Sequence, residues 1–164
     1  MYWKAAWLVV SVFASAQFVQ PVSVSRTNAG QVLAGANAPD TVLRIVERSC
    51  RDCHSWNTVW PWYSRISPIS WIVARDVERG RNFLNFSEWR KYSRGQRLAF
   101  VAAMASSANQ NRMPPAPYLV MHPGARLSEV ERQTLKSWSR SEFRRLSTLR
   151  SSRLPAANRS ANGS

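Results

Sequence analysis

The chain has 164 residues, 45% of them hydrophobic, with 23 Lys+Arg against 9 Asp+Glu and a formal net charge of +14. That length suits one domain and is short for two, and that apolar content excludes wholesale disorder. Two cysteines are too few for a disulfide scaffold, and only Lys4, Lys91 and Lys136 are lysines, so the basic character is guanidinium.

The N-terminus reads as an export segment. Lys4 and the free amine make a small positive region, Ala5 to Ala14 is an apolar run, and Ala14-Ser15-Ala16 offers a small-x-small cleavage site. Residues 1–19 are therefore expected to be a signal peptide or an uncleaved membrane anchor. Trp3 to Val19 lies at the short end of the roughly 17–25 residues a spanning helix needs. Either form implies a periplasmic location, secreted after cleavage or tethered to the inner membrane.

Residues 20–38 are rich in Gln, Pro, Ser, Asn, Gly and Ala, lack a helical period and read as a linker. The folded region is expected over 39–146, and its apolar spacing is helical throughout. Pro39 suits a first turn, and Val42, Ile45, Val46 and Cys50 share a face. Ser67-Pro68 reads as a cap with a proline at the first helical position, before Ile69, Ile72, Val73 and Val77. Ser87 opens a short turn around Trp89. Leu98, Val101, Ala102 and Ala105 mark another helix, ended before Pro114-Pro115. Ser128-Glu129-Val130-Glu131 is a capping box that starts a last helix through Leu135 and Trp138. Residues 147–164 are rich in Ser, Arg and Asn and are expected to form a disordered basic tail. No stretch alternates like a strand between hairpin turns, so the expected fold is all-α.

Cys50-Arg51-Asp52-Cys53-His54 carries the chemistry. Cys-x-x-Cys-His is the attachment signal for c-type haem. Two sulfurs three positions apart on a helical turn point the same way, so each can bond one haem vinyl group, and the next side chain delivers imidazole to the iron. A redox Cys-x-x-Cys needs a βαβ context, and the strands are missing. A zinc site needs four ligands, and the only other histidine is His122. A disulfide between Cys50 and Cys53 closes too small a loop to stabilise much. The expected cofactor is one covalently attached haem c.

The surrounding residues resemble the small bacterial haem-binding domain family. The resemblance rests on Cys50-x-x-Cys53-His54-Ser55, Thr58, Trp60-Pro61-Trp62-Tyr63, Pro68 and Ser70-Trp71. It continues through Gly80-Arg81, Leu84-Asn85-Phe86-Ser87, Trp89, Met113-Pro114-Pro115, Tyr118, His122-Pro123, Leu127-Ser128, Glu131 and Trp138. Gln17-Phe18 and Pro21, at the end of the leader, are similar as well. The resemblance implies a mostly helical, c-type cytochrome-like domain around a single haem, exported or membrane-tethered. It departs at Asp76, where many members have histidine.

A second axial ligand is then sought among Met104, Met113, Met121 and His122. Met104 and Met121 sit in apolar helical runs and read as core filler. Met113 precedes two prolines on a stiff loop, which can hold a thioether at iron with little residual entropy, and the family's Met-Pro-Pro falls on it. His122 beside Pro123 reads equally as a loop histidine bonded to a backbone carbonyl. The expected axial pair is His54 and Met113. Arg75, Arg79 and Arg81 are candidates for haem propionates or for a solvated face.

Two functions stay open. One is a single-electron carrier with a His/Met-ligated haem and no catalytic residues. The other is a haem peroxidase or small-ligand sensor with an open or weakly held sixth iron position. The charge fits an acidic redox partner protein or an anionic membrane surface, and export argues against nucleic acid.

Overall fold

The computed structural model describes residues 2–21, 23 and 30–148. Most of the expected tail, 149–164, and part of the expected linker, 22 and 24–29, lie outside the described residues. The described elements are helical, with no strand among them, as the apolar spacing predicts. They are α1 (Tyr2–Ala16), α2 (Asp40–Ser49), α3 (Arg51–His54), α4 (Ile69–Phe83), α5 (Arg94–Asn109), α6 (Ala116–Met121) and α7 (Glu129–Thr148). Short 3₁₀ turns cover Trp62–Arg65, Phe86–Lys91 and Pro123–Ala125.

The single folded region read from the sequence resolves into two compact units. One is Met1–Val32 with Arg51–Ser87, the other Leu33–Cys50 with Glu88–Ser164. Each is assembled from separated stretches of chain, so no linker composition marks the boundary.

In the first unit α4 packs on α3 and on the Trp62–Arg65 turn. Helix α1 has 15 residues and buries none of them. Among the described residues no helix is long and apolar enough to cross a membrane. The residues just after α1 are docked. Gln17 accepts from the Ser67 N–H at 3.0 Å and donates to the Ser67 carbonyl at 3.2 Å. Gln20 donates to Ser67 Oγ, and the Trp71 indole donates to the Val19 carbonyl at 2.7 Å. Ser67 thus does not cap α4: its hydroxyl meets Ser70 Oγ at 3.2 Å, and Pro68 itself is the N-cap.

The second unit is a helical core. Helices α5 and α7 make its main contact, and α2 packs on α7 and on the Pro123–Ala125 turn. Val42, Ile45, Val46, Val101, Leu135, Trp138 and Leu146 are buried here, each such side chain worth about 1.5–3 kcal/mol on leaving water. Ser139 Oγ donates to the Val101 carbonyl at 2.6 Å, tying α7 to α5. The capping box at Ser128 forms as expected: the Ser128 N–H reaches Glu131 Oε2 at 2.8 Å, and the Glu131 N–H reaches Ser128 Oγ at 3.3 Å. A second box, Ser93 with Gln96, starts α5 four residues earlier than the apolar pattern indicates.

The expected linker is partly packed. Val32 and Leu33 are 1% and 2% exposed. Leu33 and Gly35 turn the chain at φ 57 and 87, and the Asn37 carbonyl accepts from the Trp138 indole at 2.9 Å. Two apolar side chains in a Gln/Ala/Gly stretch have no period to betray them.

Candidate functional site

Cys50 is the C-cap of α2, its N–H bonded to the Val46 carbonyl at 2.9 Å. Cys53 and His54 form the last two positions of α3. Both cysteines are half-buried, and neither is in a disulfide. Burial, helped by the charges of Asp52 and Asp76, pushes the Cys53 thiol up to about 11, so it is protonated at neutral pH.

His54 is oriented by the end of α4. Leu84 leaves the helix with extended backbone, which frees its carbonyl from the intrahelical ladder. That carbonyl lies 3.0 Å from His54 Nδ1. A carbonyl only accepts, so Nδ1 carries the proton and the Nε2 lone pair is unspent. The Phe86 ring packs against the imidazole at 5.7 Å between centroids. Burial lowers the His54 pKa below its ordinary value, opposed by the backbone groups of Leu84 and Gly80, which favours the neutral form.

Gly80 sets how closely α4 approaches the motif. A Cβ there would collide with the carbonyl oxygen of Cys53 and crowd its Cβ. Arg81 locks the loop that follows. It donates to the Ser55 carbonyl at 2.8 Å and to Thr58 Oγ1 at 2.7 Å, with its guanidinium 4.7 Å from the Trp56 ring and 5.9 Å from Trp60. Thr58 in turn donates to the Asp52 carbonyl at 2.6 Å, and the Asp52 carboxylate takes the Val59 N–H at 3.1 Å. Of the arginines read as propionate partners, Arg81 is committed to this loop and Arg75 lies beside Asp76 at 3.4 Å on an exposed face.

The structure groups Cys53 and His54 with Gly80, Arg81, Leu84 and Phe86 in the first unit, while Cys50 and Met113 belong to the second. Met113 is 43% exposed and follows Asn111, which has φ 54. The Arg112 and Met113 N–H groups both reach the Ser107 carbonyl, at 3.0 and 3.4 Å. Met121, read as core filler, is 51% exposed, and Met104 is half-buried. His122 behaves as a local residue of α6: its Nδ1 is 3.2 Å from the Tyr118 carbonyl, and its ring stacks on Tyr118 at 4.1 Å.

A model of the haem-binding domain family matches residues 11–141. The chain belongs to that family. No curated protein and no solved structure matches. The residues of the first unit fit a haem: it offers the Cys53 thiol, the neighbouring imidazole of His54 with its Nδ1 already committed to the Leu84 carbonyl, and the apolar Phe86 ring beside that imidazole. Haem binding places this haem-binding domain among metal-binding proteins.

The sequence reading did not identify Gly80, Arg81 and Leu84 as positioning groups. All three had a signal, since Gly80, Arg81 and Leu84 fall in the family resemblance, but it did not say what each does. Leu84 acts through its carbonyl, which no side chain advertises.

Proposed function

We propose that this haem-binding domain is a monohaem c-type electron carrier of the periplasm. Cys50 and Cys53 would form the thioethers, and His54 and Met113 would be the axial ligands. The observation that carries it is the His54 Nδ1 bond to the Leu84 carbonyl at 3.0 Å. It fixes the ring and its tautomer before any ligand arrives and raises the basicity of Nε2. When bound, the haem supplies one-electron chemistry. Phe86 shields the imidazole from water, and the Asp52–Thr58–Arg81 network holds the turn bearing Cys53. An acidic redox protein and an anionic membrane surface are the partners that the charge of +14 fits.

The second reading, a peroxidase or sensor with a weakly held sixth position, is favoured by one observation: Met113 is 43% exposed on its loop. One preparation tests both. The full chain is expressed in a periplasm able to attach haem, and its intact mass reports leader cleavage together with attachment. The expected result is haem retained by the denatured polypeptide and a low-spin spectrum indifferent to carbon monoxide. Met113→Ala should turn the iron high-spin, open it to carbon monoxide and leave the haem attached, whereas Met113→His should keep it low-spin at a lower potential. Haem that extracts into acidified organic solvent would overturn covalent attachment. An unchanged low-spin spectrum in Met113→Ala would overturn the Met113 assignment, and rapid carbon monoxide binding by the unmodified protein would favour the second reading.

A further inference from the structure

The second unit carries a groove of about 700 Å³ along the joint between α5 and α7. Its α5 wall is made of short side chains. Ala102, Ala105 and Asn109 lie three and four residues apart and so share one helix face. Its α7 wall is made of long ones, Lys136, Arg140 and Arg144 at four-residue steps, with Phe143 among them at 43% exposure. Short arms facing long arms leave the hollow. Ser139, buried and also lining it, ties the two helices together through its bond to the Val101 carbonyl at 2.6 Å.

The charge here is uncompensated. Among the described residues Lys136, Arg140 and Arg144 make no ion pair and no side-chain hydrogen bond, and no acid lines the groove. Helix α5 contains no Asp or Glu, and the three acids of α7 are taken. Glu129 is bonded by Arg132 and Gln133, each at 2.8 Å, Glu131 by Arg48 and Glu142 by Arg145. Like charges four apart on a helix repel, so this row costs α7 stability that an acidic ligand would restore. The chain itself cannot supply that ligand. Residues 149–164 bring Arg150, Arg153 and Arg159 and no acid, and a second copy brings another +14. A hollow between two helices receives an inserted segment, whereas a headgroup layer meets a protein on its convex faces. Helix surfaces offer no free backbone groups to pair with an extended segment, while a helix satisfies its own. Lys136 to Arg144 runs about 12 Å along α7, which acids at four-residue steps on a second helix would match.

We propose that the α5–α7 groove is the docking site for an acidic amphipathic helix of a partner protein, its carboxylates on Lys136, Arg140 and Arg144 and an apolar side chain against Phe143. Such docking deepens the partner reading above, on which it rests for the choice of an acidic protein, and needs nothing of the haem or its ligands. The three cations would speed encounter and fix the register of the incoming helix. Aromatic and Arg side chains are also the types that protein interfaces enrich.

The test uses the full haem-loaded chain and a fluorescent synthetic helical peptide with glutamates at four-residue steps and leucines between them. A scrambled peptide of the same composition is the control, and anisotropy at physiological salt reads the binding. The patterned peptide should bind more tightly than the scrambled one and shift the amide resonances of 102–109 and 136–144. Arg140→Gln should weaken binding by about threefold to fivefold, and Phe143→Ala by about fivefold or more. Arg44→Gln removes the same charge from an exposed position of α2 outside the groove and should change binding little. The proposal fails if the scrambled peptide binds as tightly, or if Arg44→Gln costs as much as Arg140→Gln, since net charge alone would then explain the binding. It fails also if phosphatidylglycerol vesicles displace the peptide where phosphatidylcholine vesicles do not, which would give the groove to a lipid surface. The amide shifts of the unmodified chain alone decide if a variant does not fold. Rapid carbon monoxide binding by a chain that still takes the peptide at these amides would count against the electron carrier and support the groove.

Discussion

The two units are stabilised by different means. Among the described residues the first buries four apolar side chains, Val32, Val77, Leu84 and Phe86, against six polar ones, Ser55, Thr58, Ser64, Ser67, Ser70 and Asn85. The second buries twelve apolar residues and only Ser49, Ser139 and Glu142 as polar ones. Its one buried acid, Glu142, is held by Arg145 through two contacts of 2.7 Å. Apolar burial is non-directional and tolerates small shifts, whereas hydrogen bonds fix angles and distances. The unit that positions Cys53 and His54 is therefore built for precision, and the other for stability.

The sharpest way to break this comparison is Gly80→Ala. The new methyl would meet the Cys53 carbonyl, a backbone atom with no rotamer to retreat into. Overpacking costs about 1–3 kcal/mol, and more where nothing can yield. The first unit should fail to assemble around the motif, and the fraction of chains carrying haem should collapse while α-helical circular dichroism from the second unit persists. Helical signal and haem lost in proportion would show that the units do not differ in this way.

Leu135→Ala tests the other side. Leu135 is 3% exposed on α7, and its truncation should cost about 2–5 kcal/mol of unfolding free energy. The haem spectrum of the molecules that remain folded should not change. Denaturant titration monitored by circular dichroism and by haem absorbance reads both quantities.

Arg81→Lys keeps the charge and removes the fork that spans the Ser55 carbonyl and Thr58. A loss of about 1.5–3 kcal/mol is expected for bonds to a charged donor. Haem incorporation should fall further than it does for Leu135→Ala, although the stability cost is no greater. Equal incorporation in the two variants would remove the special role of this network.

The smallest effect is a pH dependence confined to the second unit. Arg48 lies 2.8 Å from Glu131 and, with the Ser128 cap, holds that carboxyl down to about 2. A depressed carboxylate stabilises the folded state above its unfolded pKa near 4.5, and that contribution is lost as the pH falls toward 2. The Arg48 side chain is 43% exposed, so the pair is worth only about 0.2–1 kcal/mol. Arg48→Met should flatten that part of the stability–pH curve and leave stability at pH 7 slightly lower, as acid titration of the unfolding midpoint would show.

Much of this was legible in the residues because it is local. The capping box at Ser128–Glu131 and the helical period through Val42, Ile45 and Val46 lie within a turn or two of chain, where spacing alone sets which groups meet. Cys50-x-x-Cys53-His54 is local in the same sense. It named the chemistry, and the family match agrees that the chemistry is haem. The Ser93–Gln96 capping box is just as local, but apolar spacing does not reveal it, because α5 begins with the polar residues Arg94, Gly95, Gln96 and Arg97.

What only the tertiary structure decided was distant in sequence or invisible in side chains. The partner that orients His54 is a backbone carbonyl 30 residues away, and every residue type carries that same group. Gly80 matters for an atom it lacks, which becomes meaningful only once α3 is seen to lie against it. Arg81 had the composition of a propionate ligand or a solvated cation, and its bonds to Ser55 and Thr58 made it a clamp. Val32 and Leu33 sat in a stretch without period and were buried by contacts that no local pattern encodes. Spacing along the chain determines which residues can meet within a helical turn, and only the packing of separated segments determines which of them do meet across a fold.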